Sequence, residues 1–303
     1  MNKIKFSIII LLPFFLLSCK TSQKQAKNID KELKLENALL WKIEGNGLTE
    51  PSYLFGTIHL IKSDKFFLPK GFQNAFNKSE YVIFEIDVDK MNDISEQMKL
   101  LPKILMKGDT SLKDLITADQ YKQVKDYFSE KHLPLFLFEK VKPMFLTMFT
   151  DGDFDPLSMK NGEYLSYELE ISKMVKEKHK KTGGLETIEF QVGVLDSIPY
   201  KYQAEMLMKS INSDRDSSAM DNMYNLYLSQ NISALHQSIE SDDLSKYEKI
   251  LLNNRNNTWI PRMAEYMRKD PSLFAVGAGH LGGKQGVINL LRKAGYKLIP
   301  VLH

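Results

Sequence analysis

Tyr53-Leu54-Phe55-Gly56-Thr57-Ile58-His59 is a short apolar run that closes on Gly-x-x-His. Leu273-Phe274-Ala275-Val276-Gly277-Ala278-Gly279-His280 repeats that form near the other end of the chain. Each run has the length and composition of a buried strand that stops at glycine. Two histidines at two strand ends meet in one pocket if their strands are neighbours in a sheet. In open α/β sheets, ligands bind beyond the carboxyl ends of the strands.

Working outward, Leu39-Leu40-Trp41-Lys42-Ile43 alternates like a strand, Gly45-Asn46-Gly47 is a turn signal, and Ser52–Thr57 completes a hairpin. Residues 69–77 predict a short helix opened by proline. Tyr81-Val82-Ile83-Phe84-Glu85-Ile86 predicts a strongly apolar strand with a carboxylate inside it. Strand, helix and strand in that order suggest a βαβ unit with a parallel pair. The middle reads as helical: residues 117–131 with Thr117 as cap, a buried apolar stretch 136–149, and 163–178 stopped by Gly183-Gly184. Further helices are expected over 188–195, 202–211, 219–228 and 247–252. A strand at 273–277, a helix at 284–294 and a last strand at 297–302 close the chain. The expected fold class is α/β: a mixed sheet of N- and C-terminal strands with a large helical insert.

The chain has 303 residues and a net charge of +3 from 41 basic and 38 acidic side chains, too balanced to suggest nucleic acid. Lys3 and Lys5 precede an apolar stretch from Phe6 to Leu17 that ends at Ser18-Cys19, the marks of a secretory signal. The stretch is shorter than the roughly 20 residues of a membrane span. Cys19 is the only cysteine, placed as in the lipobox of bacterial lipoproteins. The expected organisation is therefore a lipoprotein signal peptide over 1–19, a polar flexible tether over 20–38 and one domain over 39–303. Lipidation at Cys19 would anchor an exported protein to a bacterial cell-envelope membrane.

His59, Glu85 and His280 form the candidate site. A carboxylate inside an apolar strand needs a cation, a metal or a proton. Asp87 and Asp89 share the face of Glu85 if that strand continues. Two histidines and one carboxylate are a sufficient protein set for a divalent metal with an open position for water. The same trio without metal suits general acid–base chemistry. The glycine-rich segment Gly277 to Gly283 is a candidate anion cradle. The strand that follows it ends at Leu302-His303 without the acidic residue of a dinucleotide site.

Gly56-Thr57-Ile58-His59, the strand residue Glu85, Gly184-Leu185-Glu186-Thr187 followed by Gln191, Arg255-Asn256, and Val276-Gly277-Ala278-Gly279-His280-Leu281-x-Gly283 with Gly295-Tyr296 occur here in one order. That ordered set resembles the TraB/GumN family, whose relatives include the Tiki proteins. The resemblance implies a fold related to erythromycin esterase-like and haem-uptake ChaN-like domains. It also implies a metal-dependent, peptidase-like hydrolase that cleaves an amide bond in a peptide or protein substrate. Manganese or cobalt would be favoured, with zinc an option. It carries activity to His59, Glu85 and His280, with Arg255 and Glu186 at further motif positions: Arg255 to hold a substrate carboxylate or oxyanion, Glu186 to support a histidine or Arg255, or else the two to form a buried structural ion pair. The alternatives are a non-catalytic module that sequesters a peptide or haem, and a metal-free His/Glu esterase-like hydrolase.

Overall fold

The computed structural model describes residues 35–91, 94–150, 161–212, 217–240 and 243–302. The expected signal peptide, Cys19 and most of the expected tether lie outside them. Among the described residues no helix is long and apolar enough to cross a membrane.

The expected α/β architecture is found. The strands are β1 (Leu40–Gly45), β2 (Ser52–Thr57), β3 (Ile61–Lys62), β4 (Tyr81–Ile86), β5 (Tyr164–Leu165), β6 (Lys181–Glu186), β7 (Ser272–Gly277) and β8 (Tyr296–Pro300). The longer helices are α1 (Phe72–Lys78), α2 (Ile94–Ile104), α3 (Ala118–Glu130), α4 (Tyr167–Glu177), α5 (Ile188–Val194) and α6 (Tyr200–Asn212). They continue as α7 (Ser217–Leu228), α8 (Ile232–Glu240), α9 (Asn254–Lys269) and α10 (Val287–Lys293). Six strands form one mixed sheet in the order β6-β4-β7-β2-β1-β8, and β3 pairs with β5.

The hairpin forms as expected, antiparallel with Leu40 opposite Phe55. Gly45, Asn46 and Gly47 all have positive φ in its turn, the conformation that matches a tight turn to strand twist. The βαβ expectation needs correction. β2 and β4 run in one direction, but β7 lies between them and pairs in parallel with both. Val82, Ile83, Phe84, Phe274 and Val276 are fully or almost fully buried, as expected for parallel strands covered on both faces.

The main core joins these strands to Phe72 of α1, Tyr167 and Ile171 of α4, Trp259 and Met263 of α9, and Ile288 of α10. Each such large side chain contributes about 1.5–3 kcal/mol on burial. Leu35 and Ala38 are also packed into it. The helical insert has a smaller core of its own, around Val124, Phe128, Leu146 and Leu207.

Two further expectations fail for local reasons. The stretch 136–149 is not uniformly buried: Leu135–Leu137 is one 3₁₀ turn, which spreads three apolar side chains around its axis. Leu135 is buried, while Phe136 and Leu137 stand exposed. Gly183-Gly184 does not end a helix but lies inside β6, opposite Ile83 and Phe84. A Cβ on Gly183 would overlap the Tyr266 hydroxyl, and one on Gly184 would lie 2.6 Å from the backbone nitrogen of Asp87. Gly183 makes room for the Tyr266 side chain, and Gly184 permits close approach between backbones.

Gly184→Ala is therefore expected to destabilise the domain by about 1–3 kcal/mol, read as a lower denaturant midpoint. An unchanged midpoint would contradict the close β4–β6 contact.

Candidate functional site

Glu85 sits near the carboxyl end of β4, after fully buried neighbours, and Glu186 is the last residue of β6, opposite Ile86. Arg255, Asn256 and Trp259 all come from the first turns of α9. His280 ends a 3₁₀ turn that follows β7 directly. Gln191 reaches in from α5.

These residues form one hydrogen-bonded cluster. The Arg255 Nη2 lies 2.6 Å from Glu85 Oε2 and 2.5 Å from Glu186 Oε1. Its Nε donates to both Glu186 oxygens at 3.1 Å. Its Nη1 donates to the Leu251 carbonyl at 3.0 Å and lies 3.2 Å from His280 Nε2. A guanidinium has five N–H donors, and these contacts account for all of them. Arg255 is thus committed inside the protein, so the expectation that it holds a substrate oxyanion or carboxylate does not fit this geometry. Glu186 is its buried partner and also accepts from Trp259 Nε1 at 3.1 Å.

Both carboxylate oxygens of Glu85 are held. Gln191 Nε2 donates to its Oε2 at 3.1 Å, and the Gly277 N–H donates to its Oε1 at 2.8 Å. Of the glycine-rich segment, it is the Gly277 N–H at the end of β7 that reaches an anion, the chain's own carboxylate. His280 Nε2 is 3.8 Å from Glu85 Oε1, and its Nδ1 is 2.6 Å from Asn256 Oδ1. Trp259 lies against the His280 ring at 4.3 Å between centroids.

Burial alone would raise the pKa of Glu85. His280, Arg255, His59 and the Gly277 N–H outweigh it and hold the carboxyl down to about 2. For His280, burial and the Arg255 charge outweigh the attraction of Glu85 and push the ring down to about 3. At neutral pH Glu85 is thus an ionised carboxylate and His280 a neutral imidazole, with the Arg255 guanidinium between them.

His59 behaves differently. Its side chain is 77% exposed, against 6% for His280. Its Nδ1 lies 3.6 Å from Glu168 Oε1 on α4. Glu168 is fixed by Thr57 Oγ1 at 2.7 Å and Ser166 Oγ at 3.1 Å. The Glu168 carboxylate beside it is the main reason the His59 pKa is raised, to about 9, although water around so exposed a ring weakens the pair. No described hydrogen bond or ion pair joins His59 to Glu85 or His280. Asp87 does not extend the site either. β4 stops at Ile86, and the Asp87 carboxylate accepts from the Asp89 N–H and the Thr182 hydroxyl.

The expected metal donors can be tested on this arrangement. Neutral His280 and ionised Glu85 have the right protonation states. However, the guanidinium of Arg255 bonds to both of them, and His59 is turned to Glu168. Among the described residues no group of three or more His, Cys, Asp or Glu side chains is placed to hold a metal ion. As placed, His59, Glu85 and His280 do not fit a three-donor metal site.

Sequence reading missed Glu168, because a carboxylate in the first turn of a helix looks like an ordinary dipole partner. It missed Trp259 because α9, with Pro261 inside it, carried no clear helical signal. His236, which the sequence does not mark as a site residue, packs under the second motif. A Cβ on Gly283 would overlap its ring.

Stability in the presence of a chelator should fall as pH is lowered from 6.5 to 5. Over that range the unfolded chain protonates His280, whose folded ring resists down to about 3. The slope attributable to one such group approaches about 1 kcal/mol per pH unit. Glu85 adds a loss of the same sign below its ordinary value of 4.5. His59 acts in the opposite sense, but only as pH rises above 6.5. His280→Gln should remove the slope between pH 6.5 and 5; an equal slope in wild type and variant would contradict the neutral buried ring.

A family model described as the TraB/PrgY/gumN family matches residues 39–300. The chain is similar to Metalloprotease TIKI1 of Xenopus tropicalis, at 24% identity over 356 residues, 96% of this chain and 68% of that protein. It is similar to Metalloprotease TIKI2 of Danio rerio, at 23% over 354 residues, 96% of this chain and 67% of that one. Homo sapiens Metalloprotease TIKI1 matches at 23% over 322 residues, 86% of this chain and 61% of that protein. No solved structure matches. The match over residues 39–300 means that this chain belongs to the TraB/PrgY/gumN family.

Proposed function

We propose that this protein is a peptidase-like hydrolase of the bacterial cell envelope, acting on an amide bond in a peptide or protein. The observation that supports it most is the gathering of Glu85, His280 and Arg255 where β4 and β7 end, with His59 at the end of neighbouring β2. The names of its relatives as metalloproteases support the reaction class. Cys19, in its lipobox-like setting, would carry the lipid that anchors the chain to the membrane.

Within this reading the chain's own groups divide the work. Glu85, ionised and buried, orients the polar end of the substrate or the attacking water. His59 is exposed and drawn toward its protonated form by Glu168, so it delivers a proton to the leaving nitrogen and is restored by the proton that the attacking water loses. Arg255 and Glu186 keep Glu85 and His280 in place. A divalent ion, manganese or cobalt by family resemblance, would sharpen the electrophile. The donors as placed do not gather around one, so no step here runs through it.

The test is cleavage of a peptide library by the purified chain, with and without manganese, cobalt or zinc. His59→Ala should lower the rate by about 10²–10⁴-fold, the usual worth of a general acid, and Glu85→Gln should lower it at least as much. Peptides that bind but stay intact with every metal would overturn the hydrolase reading in favour of a sequestering module. Cleavage unchanged in both variants would show that the reaction does not use this site.

A further inference from the structure

We propose that Asn256 is a positioning residue that fixes His280 in the tautomer with the proton on Nδ1 and the lone pair on Nε2. The inference follows from hydrogen-bond direction alone. The Asn256 amide has a donor end and an acceptor end. Its Nδ2 lies 2.9 Å from the Gln285 carbonyl and 3.4 Å from the His280 carbonyl. Both are acceptors, so only the NH₂ end can face them, and Oδ1 is left facing His280 Nδ1 at 2.6 Å. An oxygen at that distance needs a hydrogen on Nδ1.

The other ring nitrogen gives the same answer independently. Nε2 is 3.2 Å from Arg255 Nη1, which can only donate. A hydrogen on Nε2 would set two donors against each other in a buried site, and with the opposite tautomer Asn256 Oδ1 would face a lone pair as well. An unmade hydrogen bond at a buried group costs on the order of 1–3 kcal/mol. Trp259, at 4.3 Å, holds the plane of the ring. One turn of α9 thus supplies the guanidinium beside Nε2, the amide behind Nδ1 and the indole under the ring.

The consequence concerns the site. His280 presents an acceptor, never a donor, at Nε2, and Arg255 Nη1 donates to it there. Under the hydrolase reading, proton delivery then falls to His59. The tautomer itself does not depend on that reading, and the test below reads it without activity.

The chain has six histidines, so their ring nitrogens can be resolved by nitrogen–proton correlation spectra of histidine-labelled, chelator-treated full-length protein. His280→Gln identifies the His280 signals. At pH 7 the wild type should show His280 neutral, protonated at Nδ1 and bare at Nε2. Asn256→Ala should lose this state in part, Arg255 Nη1 still opposing a hydrogen on Nε2, and gain a measurable share of the Nε2-protonated form, while Asn256→Asp should retain it, since a carboxylate oxygen accepts the same hydrogen. A wild type protonated at Nε2 overturns the proposal, as does Asn256→Ala with the Nδ1 form intact. If Asn256→Ala fails to fold, the wild-type and Asn256→Asp spectra decide.

Discussion

Two buried carboxylates share one guanidinium at the carboxyl end of this sheet, and the rest of the site is arranged around that fact. Taking a carboxylate out of water costs several kcal/mol unless paired charge and hydrogen bonds replace the lost solvent. Glu85 and Glu186 meet that condition together, because Arg255 spends all five of its N–H groups within the cluster. The bonds cross every local boundary: β4 and β6 through the two glutamates, β7 through the Gly277 N–H, α5 through Gln191 and α9 through Arg255. The ion cluster therefore fixes how the helical insert and the C-terminal segments meet the sheet. The same closure explains why a three-donor metal site does not form in this arrangement. The cation that Glu85 requires is already part of the chain.

The two Gly-x-x-His segments share a spelling but not an environment. The β2–β7 register sets Thr57 opposite Gly277, so the second motif runs one residue ahead of the first. Gly56 is packed against Leu281 and Ala278, where a Cβ would lie 2.9–3.2 Å from them. Its carbonyl accepts from Tyr227 at 3.0 Å. Beyond it the chain turns outward and leaves His59 in solvent beside Glu168. Beyond Gly277 the chain curls into a 3₁₀ turn and carries His280 beneath Trp259. One ring is drawn toward the cation and the other is kept neutral. Pairs of titratable groups whose environments push them apart are how one site divides acid from base work.

Much of this was legible in the sequence, and the failures have local causes. Apolar runs placed β2, β4 and β7, those of β2 and β7 closing on Gly-x-x-His, and the lone carboxylate in β4 marked Glu85 as a residue in need of a cation. The partner was not readable from pattern alone, since Arg255 lies 170 positions from Glu85 and α9 begins directly after a π-turn at Lys249–Asn253. The insertion of β7 between β2 and β4 is invisible to any local pattern, because register is set by tertiary pairing. β6 was hidden by Gly183-Gly184, which reads as a helix stop and in fact permits close packing against Tyr266 and Asp87. Glu168 carried no sequence signal, because its role comes from the fold that sets α4 beside the end of β2.

If the Glu85–Arg255 pair is the constraint on which the site depends, the two residues must be energetically coupled. A double-mutant cycle with Glu85→Gln and Arg255→Met, read by denaturant unfolding in the presence of chelator, measures that coupling directly. Residues in contact within one ion network couple by about 0.5–3 kcal/mol, and a value above about 1 kcal/mol is expected here. A coupling indistinguishable from zero, with the two losses simply additive, would contradict the central cluster and the account built on it.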